Sequence, residues 1–139
     1  MDCLIDNDVF LAAIASGHPN HNKARAWLDR AKPKGWGVAV ETYLAALRLL
    51  MNPVIMREFV HTAEQAMNVV DAELGGAYPA RLIFSREKPD RDILGRAYGH
   101  KQVMDFWLVQ LARQEGCKLA TIDGGTLANW PQFTTKVME

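Results

Sequence analysis

The 139-residue chain is poor in cysteine, contains no long apolar run and carries no net charge. Its two cysteines, Cys3 and Cys117, form no C-x-x-C pair and stand at no metal-ligand spacing to a histidine. That pattern argues against a disulfide framework or a thiolate zinc site and reads as reduced thiols in a cytoplasmic protein. Cys3 lies in an apolar run, where cysteine behaves as a small hydrophobe. No stretch approaches the roughly 20 apolar residues that span a bilayer, so no membrane association is expected. The first strand pattern begins almost at Met1, and no leader is expected ahead of it.

The missing net charge has a second consequence. Lys and Arg number 16, and Asp and Glu also number 16. A protein that grips nucleic acid by bulk charge is basic, so any RNA contact here must come from local clusters. A neutral surface also favours association with another copy or a partner. What is present is ordinary globular material, 49% hydrophobic and 23% charged. That is enough apolar mass for one core and one domain over residues 1–139.

Apolar runs alternate with helical patterns along the chain. Strands are expected at Cys3–Ile5, Trp36–Val40, Arg81–Phe84 and Lys118–Ile122. Helices are expected over Val9–Ala15, Lys23–Ala31, Thr42–Leu50, Phe59–Leu74, Asp92–Ala97 and Val103–Glu115. Thr42 serves as an N-cap, and Asn52-Pro53, Gly75-Gly76 and Gly116 serve as stops. Beyond Gly125 the chain is a poorly patterned tail. The expected class is α/β, with a central, mostly parallel sheet flanked by helices.

In such sheets ligands bind beyond the carboxyl ends of the strands. Three expected strands end in an acid: Asp6, Glu41 and Asp123. Asp105 opens the helix that precedes the last strand. Carboxylates gathered at one edge repel unless a cation neutralises them, and oxygen-only ligands suit Mg²⁺ or Mn²⁺. The bland alternative is that each acid caps a helix or shapes a turn, as Asp and Asn commonly do.

The order of these segments resembles PIN domains, and within them VapC-type toxins of bacterial toxin–antitoxin pairs. Leu4-Ile5-Asp6-Asn7-Asp8-Val9-Phe10-Leu11-Ala12 is similar to the opening of that family. Gly99 to Ala112, around Asp105, is similar to the segment carrying its third acid, and Lys118 to Asp123 to the segment carrying its fourth. His18-Pro19-Asn20-His21 and Arg48-Leu49-Leu50-Met51-Asn52-Pro53 add to the likeness, which runs from residue 3 to about residue 126. It implies a Mg²⁺- or Mn²⁺-dependent endoribonuclease with Asp6, Asp105 and Asp123 on the metal. It further implies a homodimer, neutralised by a VapB-like antitoxin whose C-terminal segment covers the active groove. The second acid departs from the pattern: Tyr43 stands where relatives carry Glu, and Glu41, two residues earlier, is taken as a shifted substitute. Asp8 occupies the place often held by Asn and is expected to bind through water, orient Asp6, or touch RNA or antitoxin.

Further contacts to RNA or antitoxin are expected from Arg48, His100 and Lys101, set against packing or purely structural roles. Arg81, Arg86, Lys88, Arg91 and Arg96 form a loose basic stretch, which reads equally as a solvated face. Trp27, Trp36 and Trp107 are expected in the core, as is the helix bearing Leu44, Leu47 and Leu50. Two other functions compete. One is a non-catalytic PIN-like module that binds RNA or a partner. The other is a haloacid-dehalogenase-type phosphatase with Asp6 as nucleophile and Asp8 as acid/base, for which the chain is short and lacks the second late acid.

Overall fold

The computed structural model describes residues 1–137. Five strands form its sheet: β1 (Cys3–Ile5), β2 (Trp36–Ala39), β3 (Arg81–Ile83), β4 (Lys118–Thr121) and β5 (Thr134–Lys136). Their order is β3-β2-β1-β4-β5, and every neighbouring pair is parallel. The expected α/β class is met, with a sheet that is parallel throughout.

Successive strand residues point to opposite faces, and the apolar residues sort accordingly. Cys3, Ile5, Trp36, Val38 and Ala120 belong to one core; Leu4, Ala39, Ile83 and Leu119 belong to the other. Burial on both faces explains why these strands read as continuous apolar runs. The first face is covered by α1 (Asn7–Ile14), α2 (His21–Ala31), α3 (Val40–Leu50) and α5 (Ala63–Leu74). The second is covered by α6 (Arg91–Leu94) and α7 (His100–Gln114), with Trp130 packed edge-on against Phe106. Two short helices, α4 (Pro53–Met56) and α8 (Gly124–Asn129), complete the set. No helix among the described residues is long and apolar enough to cross a membrane.

The structure departs from the sequence expectations at all six helix starts and in the tail; α1 begins at Asn7 rather than Val9, and α2 at His21 rather than Lys23. Thr42 is not an N-cap: α3 starts at Val40, so Glu41 sits in its first turn, and the Thr42 hydroxyl donates to Asn7 Oδ1. The helix expected from Phe59 starts at Ala63, where Thr62 and Gln65 form a capping box; reciprocal satisfaction of two free N–H groups fixes the start there. The short helix expected over Asp92–Ala97 is α6, capped by Asp90. The helix α7 begins at His100, not Val103, so Asp105 lies in its second turn. The tail folds into α8 and β5, and Val137 is fully buried. With the sequence Thr-Thr-Lys, β5 is a short polar edge strand, which explains its weak pattern. Residues 138 and 139 of the expected domain lie outside the described residues.

Candidate active site

Chain order places β1, β2 and β3 outward to one side and then returns to set β4 and β5 on the other. The reversal falls at β1, and the crevice beyond the carboxyl ends of β1 and β4 is where open parallel sheets bind ligands. Two acids stand at those ends.

Asp6 follows β1 directly and is 1% exposed. Its Oδ1 accepts the Asn7 N–H at 2.7 Å, capping α1, and its Oδ2 accepts the Thr121 hydroxyl at 2.5 Å. Asp123 follows β4 by two residues and caps α8: its Oδ2 accepts the Thr126 N–H at 2.9 Å and the Thr126 hydroxyl at 2.7 Å. The bland reading therefore holds in part, since both acids are helix caps. It is incomplete, because Asp105 caps nothing. The helix α7 lies against both β1 and β4, bringing Asp105 to the same crevice.

The electrostatics tie these acids together. Burial first, and then the charges of Asp6, Asp123 and Asp8, together push the Asp105 carboxyl up to about 7. Burial likewise raises Asp6, to about 6, with Asp8 and Asp123 adding to it, while the Thr121 and Asn7 hydrogen bonds hold it back. Every charge acting on Asp105 is an acid. Sequence reasoning put Asp6, Asp105 and Asp123 on one edge, and the structure brings them together. It also draws in Asp8, exposed in the first turn of α1.

Glu41 is placed differently. It stands near the carboxyl end of β2, but inside α3 rather than at the strand's end. It is absent from the charges acting on Asp105. Its Oε2 is nonetheless buried with no hydrogen-bond partner among the described residues. Tyr43 turns away to α5, sharing a 2.8 Å hydrogen bond with Asp71. Arg48 is exposed in the last turn of α3, and His100 and Lys101 are exposed at the start of α7, the turn before Asp105. The basic stretch is partly spent: Arg81 and Arg86 both pair with Glu115, and Arg96 lies over the Trp130 ring at 4.6 Å. Trp36 is fully buried, whereas Trp27 and Trp107 are only partly so; on α3, Leu50 is buried and Leu44 exposed.

Sequence reasoning missed Thr121. Its hydroxyl donates to Asp6 and accepts the Asp123 N–H at 3.0 Å, so one side chain links the ends of β1 and β4. The available signal was a polar β-branched residue closing an apolar strand two positions before an acid.

The donor set is all oxygen and suits a hard divalent cation. A carboxylate oxygen has two lone pairs, so those that cap or accept from Thr121 keep acceptor capacity. Among the described residues, no three His, Cys, Asp or Glu side chains already stand in the arrangement of a metal cage. The chain thus provides hard oxygen donors and mutual repulsion that a cation relieves, without a finished coordination shell.

Comparison with known proteins agrees with this topology. The PIN domain family model matches residues 3–128. Ribonuclease VapC29 of Mycobacterium tuberculosis is 30% identical over 129 residues, covering 90% of this chain and 88% of that one. Ribonuclease VapC38 of the same organism is 25% identical over 122 residues, covering 88% and 85%. The crystal structure of Mycobacterium tuberculosis VapC20, a Sarcin-Ricin loop cleaving toxin, superposes with a TM-score of 0.59 at 17% identity, covering 92% of this chain and 95% of that one. That likeness bears on the fold, and the sequence matches bear on descent. The chain belongs to the PIN domain family, among the VapC ribonucleases.

Proposed function

We propose that this chain is a Mg²⁺- or Mn²⁺-dependent endoribonuclease, the toxin of a type II, VapBC-type toxin–antitoxin pair. VapC ribonucleases as a family depend on a divalent metal, act on RNA and pair with VapB antitoxins. In this reading residues 1–139 work as one PIN-like domain, in the cytoplasm, as a homodimer held in check by a VapB-like antitoxin over the acidic groove. The observation that carries it is the group of acids at the switch point of the sheet, with Asp105 pushed up to about 7 and no cation among the charges acting on it.

Asp6, Asp105 and Asp123 would hold the metal, with Asp8 at the exposed rim. When bound, the ion would activate water and stabilise charge on the transferring phosphoryl group. The chain's own contribution is placement. Thr121 fixes Asp6 relative to Asp123 through two hydrogen bonds. The caps on α1 and α8 hold the rotamers of both acids, and second contacts of this kind commonly tune ligand orientation. Ile5, just before Asp6, and Ala120, its register partner in β4, are fully buried. Glu41 is assigned a weaker, outlying role at the β2 end, and Arg48, His100 and Lys101 are assigned to phosphate or antitoxin contact.

The test is cleavage of bulk bacterial RNA by antitoxin-free protein in Mn²⁺, in Mg²⁺ and in EDTA, beside an Asp6→Asn/Asp105→Asn double variant. The expected result is cutting that needs metal, is lost in the variant and leaves a 3′-hydroxyl. A cyclic phosphate product would contradict the mechanism. The outlying Glu41 favours one second reading, a PIN-like module that binds RNA or a partner without cutting; folded wild type that binds but never cleaves would select it. Membership of the PIN family sets the phosphatase reading aside.

A further inference from the structure

A protein without net charge needs something besides phosphate attraction to hold RNA. Aromatic rings that stack on unpaired bases supply it, provided they face solvent. The tryptophans do not qualify: Trp36 and Trp130 are buried, and Trp27 and Trp107 pack partly against the two cores. Tyr98 does. It is 89% exposed, the most exposed large hydrophobic side chain among the described residues.

Its mount is rigid although its ring is free. The Tyr98 N–H donates to Gln102 Oε1 at 2.7 Å. Two residues earlier, Arg96 stacks on the buried Trp130, and its N–H bonds Ile93 O at 3.2 Å. These contacts tie down the backbone that carries the ring, while the ring itself stays open to solvent.

The mount also reaches the acids. Gln102 Nε2 and Asp123 Oδ2 both lie within 3.5 Å of the single point where a Cβ on Gly125 would stand. The same glutamine that bonds Tyr98 therefore borders the Asp123 carboxylate. Asp105 lies in the second turn of α7, which begins two residues after Tyr98. His100 and Lys101 stand exposed between the two.

We propose that Tyr98 is a base-stacking residue that holds an unpaired nucleobase of the RNA beside the acid cluster, so that single-stranded positions are selected for cleavage. The inference rests on the ribonuclease reading for its substrate, but its test does not use cleavage. In an Asp105→Asn background, binding of a short single-stranded RNA carrying 2-aminopurine is measured by fluorescence. Stacking quenches the 2-aminopurine. Tyr98→Ala should weaken binding about tenfold, the size expected for one stacked base, and abolish the quenching. Tyr98→Phe and Tyr98→Trp should restore both, because each keeps a π-face. Equal affinity and quenching in Tyr98→Ala would overturn the proposal, as would unchanged RNA binding with weakened antitoxin binding, which would make Tyr98 a protein contact. Tyr98-dependent stacking in a wild type that never cleaves RNA would uphold this inference while removing the nuclease reading.

Discussion

The two edges of the sheet carry the same kinds of acid and treat them in opposite ways. At the amino edge, where β2, β3 and β4 begin, Glu73 meets Arg25 at 2.6 Å and Lys32 at 2.9 Å, and Glu115 meets Arg81 and Arg86 at 3.1 Å each. Burial alone would raise Glu73, but hydrogen bonds from Arg25 and Lys32 outweigh it and leave its carboxyl below the usual value. Glu115, bonded by Gln114 and facing Arg86 and Arg81, is lowered too. At the carboxyl edge, Asp6 and Asp105 are pushed up to about 6 and about 7. Zero net charge therefore describes a segregated molecule: compensated acids stabilise one end, and acids that raise one another's pKa gather at the other. Stability is given up where the chemistry is to happen, as functional sites commonly require.

The largest test of that contrast pairs one acid from each edge. Asp105→Asn should lower RNA cleavage by at least about 100-fold, beyond the range of outer-shell changes at metal sites. It should also make the metal-free protein more resistant to heat at pH 8, because a repelled charge is gone. Glu73→Gln should do the reverse. It should lose about 1–2 kcal/mol of stability, between the values for exposed and buried ion pairs, and leave kcat per folded molecule within twofold. Single-turnover cleavage and thermal melts of both variants read this directly. An Asp105 variant that cuts normally would remove the functional side of the comparison.

The next effect lies in pH. Asp6 and Asp105 have folded pKa values above their ordinary one of 3.8. Their contribution to stability is full below about pH 4 and is lost as pH rises through about 6 to 7. Glu73, lowered from 4.5, contributes above that pH and is lost on acidification. Metal-free protein should then be most stable near about pH 4.5 and lose stability steadily as pH rises through about 6 to 7, by on the order of a few kcal/mol at pH 8. Millimolar Mg²⁺ or Mn²⁺ should restore the loss at pH 8 and do little at pH 5, where the acids are protonated. Melting temperatures at both pH values, with and without metal, decide it. A metal-free Tm that rises steadily to pH 8 would show that the edges do not differ in this way.

Four of the five strands, their parallel sense and the placement of the three acids near one edge were legible because the signals were local: buried runs ending in Asp, and a helix leading into β4. What was not legible depended on contacts distant in sequence. Thr121 meets Asp6 across 115 residues, and nothing in its own segment announces that partner. The loss of α3's expected cap goes with a contact of the same kind, the Thr42 hydroxyl donating to Asn7 from 35 residues away. The weak edge strand β5 lacked an apolar pattern of its own. Exposure, which separates Tyr98 from four tryptophans, has no sequence signature at all.

A smaller effect follows for Thr121. Replacing it with Val keeps the shape and removes the hydroxyl, so Asp6 loses one of the two bonds that hold its carboxyl down. Cleavage should fall about 10- to 100-fold, the usual range for a contact that orients a ligand. The pH dependence of kcat should also shift upward, whereas Thr121→Ser should recover both. A Val variant with an unshifted profile would leave Thr121 a packing residue only.

The smallest effect concerns Glu41, which stands between the two edges in character. Like the carboxyl-edge acids it forms no ion pair among the described residues, where its Oε2 is also buried without a hydrogen-bond partner. Unlike them it is absent from the charges that raise Asp105, and it sits in the first turn of α3, where a helix N-terminus stabilises an anion. Its negative charge is therefore offset by α3 itself and owes less to a shared cation. Glu41→Gln should reduce cleavage by less than about tenfold and leave the Mg²⁺ concentration for half-maximal rate within threefold. A loss as large as that of Asp105→Asn, with a matching rise in the Mg²⁺ requirement, would instead place Glu41 on the metal. It would mean that α3 moves its first turn toward β1 when the ion binds.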